Sequence, residues 1–269
     1  MFWISSDLVI LQSGNLVIGT PTSFEIAKLP DYKMSHLLLA TDTSGKNASL
    51  ALARVTPGQS GVEIVEVVPL AGGAFSAQLV PQIAALLEKH GYSKNDLVAF
   101  AVASGPGSFT GLRVGLAAIK ALAEALQKPI AAVSLLEAVA CSGAGHSRVL
   151  AVLDAGRGDV YVGDYELGRQ VRRPVERLLS REEFLVEASR PEAGFPEAKG
   201  RSVVTPDAVL AETVRTAGIQ VELIEYPNSA VIARLGWERI QRGETVRPEE
   251  LEANYIRRSD AEIFSKPAS

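Results

Sequence analysis

Cysteine is almost absent from this sequence: Cys141 stands alone in 269 residues. A lone thiol excludes an intrachain disulfide and any multi-cysteine zinc or iron–sulfur centre. Histidine is scarce too. His36, His90 and His146 lie far apart, so no HxxxH or HExxH ligand pair sits on any helix. There is no Gly-x-Ser-x-Gly elbow and no reactive-cysteine signature around Cys141. No apolar run approaches the roughly 18 residues that span a bilayer. Positive charge is not in excess: 27 Lys and Arg against 31 Asp and Glu leave a net charge of −4. A broad basic face for nucleic acid is therefore not advertised. These absences predict a soluble, cytoplasmic protein with no membrane contact, and the length leans toward two domains at about 150 residues each.

What is present begins with residues 1–33, which do not resemble an export signal. Asp7 precedes the first apolar burst, and no Lys or Arg occurs before Lys28. Leu8–Leu11 and Leu16–Ile18 flank Ser13-Gly14-Asn15 and predict a marginal hairpin. The chain has two methionines, and Met34 directly precedes the first convincing strand. The expected organisation is an extension over 1–33, with Met34 as the functional start, then one domain over 34–142 and a smaller, less regular one over 143–269.

From Leu37 the pattern reads strand, strand, strand, helix, strand, helix, strand, which predicts a mixed sheet flanked by helices. The helix over 75–90 turns Leu79, Ile83, Leu86 and Leu87 to one face. The opening then recurs. Leu38–Gly45 runs through Asp42 into a second strand, and Leu150–Gly158 runs through Asp154 into another. An Asp at such a turn is often only a turn former. Two copies in equivalent places favour duplicated domains facing each other across a cleft. Beyond Glu166 the pattern is less legible: a loop over 190–200, then a helix over 229–243 capped by Ser229 with Ile232, Leu235 and Ile240 inward.

The strongest motif is Ser104-Gly105-Pro106-Gly107-Ser108-Phe109-Thr110-Gly111-Leu112-Arg113-Val114-Gly115, joining a buried strand to a helix. Two readings stay open. The helix start can offer its N–H groups to a phosphate, or the glycines can simply permit a tight turn and close packing. Neither the Walker nor the dinucleotide spacing is met. The helix over 108–127 is apolar on two faces. One carries Leu112, Leu116, Ile119, Ala123 and Leu126, and the other carries small residues that meet either the second domain or another chain, with a subunit interface favoured. Arg113 in the first turn opposes the helix dipole, so a salt bridge or an anion is its expected partner. The acidic cluster Glu249, Glu250 and Glu252 reads as a solvated face, and Arg169, Arg172, Arg173, Arg177 and Arg181 read as a solvated loop.

Together, Leu39–Ser44, the Gly105–Gly115 run and Val149–Tyr161 strongly resemble the TsaB (YeaZ) family, whose members serve the machinery that makes threonylcarbamoyladenosine in tRNA. The resemblance runs from about Met34 to Tyr255-Ile256-Arg257. It implies an α/β fold of two tandem actin-like domains, of the sugar-kinase type, with mixed sheets flanked by helices. It also implies a non-catalytic subunit that binds and activates a TsaD-like transferase, which itself holds a metal through paired histidines. A TsaE-like ATPase is implied as a further partner, with tRNA met mainly through the complex and a homodimer possible. No cofactor is then required by this chain, and ATP with magnesium acts at the level of the complex. The candidate partner interface is Gly111, Gly115, Ala118, Leu122 and Ala125 with Leu79 and Ile83. The candidate nucleotide or anion cleft is Asp42, Thr43, Ser44, Gly105, Gly107, Ser108, Arg113 and Asp154. The alternatives are a stand-alone nucleotide-binding enzyme, kinase-like or peptidase-like, in which Asp42 and Asp154 hold a magnesium–nucleotide, and a merely homodimeric binding module.

Overall fold

The computed structural model describes residues 3–4, 7–12, 15–19, 25–27, 36–59, 61–71, 75–145, 147–168, 175–190 and 202–256. The chain forms two compact units, Met1–Ser35 and His36–Ser269. In the first, β1 (Trp3–Ile4), β2 (Asp7–Gln12), β3 (Asn15–Gly19) and β4 (Glu25–Ala27) make an antiparallel sheet in chain order. The expected hairpin is the β2–β3 pair, with Leu11 opposite Leu16. Met34 lies outside the described residues.

The second unit is built on a repeated pattern. Its first half runs β5 (Leu37–Asp42), β6 (Ser49–Val55), β7 (Val62–Pro69), α1 (Phe75–Lys89), β8 (Leu97–Gly105), α2 (Phe109–Leu126), β9 (Ile130–Ser134) and α3 (Leu135–Ser142). Its second half runs β10 (Arg148–Gly156), β11 (Asp159–Glu166), β12 (Arg177–Ser180), α4 (Arg181–Ala188), β13 (Ser202–Thr205), α5 (Ala208–Thr216), β14 (Val221–Leu223) and α6 (Ser229–Gln241). The sheets are ordered β7-β6-β5-β8-β9 and β12-β11-β10-β13-β14. In each, the first three strands are antiparallel and the last two join the first in parallel. The succession of strands and helices is the same in both halves, which is the duplication that the two Asp-bearing turns announced. These are the two tandem mixed sheets flanked by helices that the resemblance implied.

The first sheet is buried on both faces because its central strands are apolar throughout. Side chains alternate, so Leu37, Leu39, Leu50, Leu52, Phe100 and Val102 face one core with α1 and α2. Leu38, Ala40, Ala51, Ala53, Ala99, Ala101 and Ala103 face the other core, with α3 and α6. The two faces differ in size. The leucine side fills space against two amphipathic helices, while the alanine side lets α6 come close. Gly236 marks the closest approach, since a Cβ there would lie 2.4 Å from the Ala101 methyl. The second core also takes in Val149, Ala151, Leu153, Tyr165 and Val204 from the second sheet. Its opposite face packs Leu150, Val152, Val160 and Val203 on Phe184, Leu210 and Val214 of α4 and α5.

One expectation for α6 is corrected. Its cap is Asn228, whose side chain accepts the Ala230 N–H. Ser229 instead is the first helical residue, fully buried, and its hydroxyl donates to the Ser49 carbonyl at 2.6 Å. Ile232 faces inward as expected, with Ala233, Gly236 and Trp237, and Leu235 and Ile240 pack half-buried against the same core. At the other end, Arg239 bridges α6 to Glu137 of α3 and to the Ala132 carbonyl, both charges being largely removed from water. The loop expected over 190–200 falls almost wholly outside the described residues, as do Arg169, Arg172 and Arg173 of the basic stretch. Arg177 and Arg181, the other two, are ion-paired with Glu187 at 2.6 Å and Asp154 at 3.0 Å rather than merely solvated.

Gly236→Ala therefore sets a helix-propensity gain of about 1 kcal/mol against overpacking, which costs about 1–3 kcal/mol. With so short a contact the overpacking wins, and urea unfolding will show a net loss of stability. Arg234→Ala, on the exposed side of the same helix, changes it by less than about 0.5 kcal/mol.

Candidate functional site

A cleft of about 530 Å³ opens where the two repeats meet, lined from the first half by 44–47 and 106–108 and from the second by 153–156, Asp207 and Tyr226. Of the eight candidate cleft residues, Ser44, Gly107, Ser108 and Asp154 line it. Asp42 and Thr43 are buried, and Gly105 is buried beneath the C-terminal segment, where its φ of +110° requires glycine. Arg113 is exposed and occupied elsewhere. Tyr161, Asp207, Tyr226 and Lys46 also line the cleft. No local motif marked them, since they come from separate loops that only the fold brings together.

The glycine loop resolves in favour of close packing. A Cβ on Gly107 would lie 2.5 Å from the Ser44 carbonyl oxygen, one on Gly111 2.0 Å from the Thr43 carbonyl oxygen, and one on Gly115 2.2 Å from Thr43 Oγ1. The turn after β5 thus fills the space that the missing side chains leave. Hydrogen bonds seal the contact: Ser108 N–H donates to the Ser44 carbonyl at 2.6 Å, and Thr43 Oγ1 donates to the Gly111 carbonyl at 2.7 Å. Ser108 caps α2 by accepting the Gly111 N–H. Two of the groups that an anion would use are therefore taken by the chain itself.

The two aspartates of the repeated turn have diverged. Asp42 is 1% exposed. Its Oδ1 accepts the Ser44 N–H at 2.8 Å, while Oδ2 has no hydrogen-bond partner among the described residues. Burial pushes its carboxyl up from the ordinary 3.8, against the Ser44 hydrogen bonds, which pull it down. Tyr226 is pushed up as well, by its own burial and then by the neighbouring Asp42 charge. Asp154 is 38% exposed and pairs with Arg181. A magnesium–nucleotide held between two free aspartates over an open glycine loop does not fit these residues. Among the described residues no group of three His, Cys, Asp or Glu side chains converges to hold a metal ion. No helix among them is long and apolar enough to cross a membrane.

The candidate interface needs correction at four positions. Leu79 and Ile83 are 1% and 4% exposed and belong to the core beneath α1. Gly111 and Gly115 are closed off by Thr43. These residues are apolar or small because the chain's own packing demands it. Ala118 and Leu122 are half-buried and Ala125 is exposed, so these three remain at the surface. Around them α2 exposes Ala117 and Ala121, while the neighbouring α1 exposes Ala77, Val80, Pro81, Ala84 and Ala85. Arg113 forms no salt bridge among the described residues; it stacks on Phe109 and donates to the Tyr255 hydroxyl.

Gly111→Ala will lower the urea midpoint by an amount equivalent to about 3 kcal/mol, because the obstacle is backbone rather than a flexible side chain. Asp42 yields a pH signature. A carboxyl raised by folding contributes stability that is present below its unfolded value of 3.8 and lost as pH rises through its folded value. Asp42→Asn keeps an acceptor for the Ser44 N–H and removes the charge. The variant will gain on the wild type as pH rises from 4 toward 8, and thermal melts across that range check the sign.

Comparison with known proteins accords with this geometry. The family model described as TsaD, tRNA N6-adenosine threonylcarbamoyltransferase, matches residues 67–263. The tRNA threonylcarbamoyladenosine biosynthesis protein TsaB of Bacillus subtilis is 36% identical over 130 residues, 48% of this chain and 55% of that protein. Its Escherichia coli counterpart is 34% identical over 133 residues, 48% of this chain and 54% of that protein. The matched region thus spans about half the length of these curated relatives. The solved structure of YeaZ from Pseudomonas aeruginosa aligns at a TM-score of 0.64 and 27% identity, covering 82% of this chain and 99% of that one. The chain belongs to the family that this family model describes, and the relatives it resembles at 27–36% identity are TsaB and YeaZ proteins.

Proposed function

We propose that this protein is a non-catalytic subunit of the cytoplasmic machinery that forms threonylcarbamoyladenosine in tRNA, and that it binds and activates a TsaD-like transferase. One observation carries the reading: α1 and α2 pack side by side and expose small apolar residues on their outer surface. Val80 is 51% exposed, and the alanines around it leave a smooth surface on which another helix pair can lie closely. An apolar patch of this kind on an otherwise charged protein marks an interaction site. A TsaE-like ATPase completes the assembly, ATP and magnesium act there, tRNA is reached through the complex, and a homodimer competes for the same face.

The stand-alone enzyme gains no support from the cleft. Asp154 is neutralised by Arg181, and the glycine loop is filled by the chain's own Thr43 and Ser44.

The test is an omission assay with TsaC-, TsaD- and TsaE-like proteins of the same organism, tRNA, ATP, threonine and bicarbonate. Modified nucleoside will form with this chain and not without it. Equal product in its absence sinks the proposal. Ala121→Arg, an exposed helical position where the folded monomer tolerates a long side chain, will abolish transferase binding. A buried unpaired charge at an interface costs several kcal/mol.

A further inference from the structure

An exposed cluster at the start of α2 is left unused by that reading. The Arg113 guanidinium carbon lies 3.8 Å from the centre of the Phe109 ring, and its Nε donates to the Tyr255 hydroxyl at 3.1 Å. The two rings stand 5.0 Å apart, tilted by 37°. Phe109 is 39% and Tyr255 42% exposed. Eight other described arginines each pair with an Asp or Glu. Arg113 has no carboxylate partner among the described residues; its recorded contacts are the ring and the hydroxyl.

The pose of the cluster is held from beneath. The Asn254 N–H donates to the Ser104 carbonyl at 2.7 Å. The Asn254 side-chain amide donates to Glu176, which also accepts from the Tyr165 hydroxyl at 2.6 Å and from Ser134. One half-buried carboxylate with three donors thereby anchors the residue before Tyr255. The guanidinium, oriented by a ring face and a hydroxyl, loses little freedom on binding.

We propose that Phe109, Arg113 and Tyr255 form a docking site for a carboxylate-bearing segment of a protein partner, namely the transferase-type partner of the preceding section, and the inference rests on that reading. Two observations select this occupant. Arg113, Ala117 and Ala121 are all exposed at four-residue spacing on α2, so a partner covering the alanines reaches the cation. An oriented, unpaired guanidinium is complementary to a carboxylate. RNA is the poorer occupant: Arg113 already covers a face of Phe109, leaving less ring for a base to stack on.

The experiment is calorimetric titration of the full chain with the TsaD-like protein of the same organism, at two salt concentrations, with melting curves to verify folding. Arg113→Ala will weaken binding about tenfold or more and reduce its salt dependence. Arg113→Lys will restore only part of the affinity, since an ammonium lacks the planar fork. Arg113→Glu will bind worse still and be rescued by one Asp or Glu to Lys change on the partner. If Ala121→Arg abolishes binding while Arg113→Ala and Arg113→Glu leave it unchanged, the docking site is refuted and the interface reading survives. Failure of the wild type to bind at all overturns both. Lost tRNA binding in Arg113→Ala at unchanged protein affinity overturns the site in favour of RNA.

Discussion

The first half of the larger unit depends on one close contact, between the turn that follows β5 and the start of α2. Thr43 and Ser44 sit where the side chains of Gly107, Gly111 and Gly115 would be. Each glycine removes a methyl-sized obstacle, and the hydrogen bonds from Ser108 and Thr43 close what remains. Because the contact at Gly107 and Gly111 is backbone against backbone, it defines where α2 lies on the sheet and how its outer surface is presented. Interiors pack densely enough that one added methyl is felt. A Cβ on Gly111, 2.0 Å from the Thr43 carbonyl oxygen, would leave no room for compensation without moving the turn, and with it Asp42.

A second close approach ties the two halves of the larger unit together. Helix α6 belongs to the second repeat yet lies on the alanine face of the first sheet, with Gly236 over Ala101. The buried Ser49–Ser229 hydrogen bonds join β6 to the helix start, and Arg239 with Glu137 joins its other end to α3. The cleft is consequently held by packing on both sides. Its two aspartates, equivalent in the repeat, meet different environments: Asp42 under the glycine loop, Asp154 in water beside Arg181. The duplicated fold has kept the turn while its chemistry has diverged.

Much of this was legible in the residues. The strand and helix order through Ile130 follows from apolar periodicity, and the repeat of the Asp-bearing turn anticipates the shared sheet topology. The second half is less readable because β12 to β14 run over three or four residues each and α4 carries almost no apolar stripe. The cap of α6 was misplaced by one residue because Asn228 and Ser229 are both good caps, and only the neighbouring Ser49 hydroxyl decides which one is drawn into the interior.

The small-residue stripe on α2 shows where reading by pattern stops. Glycine and alanine are selected both where a helix meets its own chain and where it meets another protein, and periodicity registers only that a face is small. The sequence by itself determined the duplicated α/β plan, the family and the chemically distinctive loop, because these rest on local spacing and residue type. Only the tertiary structure decided that Gly111 and Gly115 serve the chain's own core while Ala117 and Ala121 face outward. That choice depends on where Thr43 lies, and Thr43 is sixty-eight residues from Gly111 along the chain and adjacent to it in space.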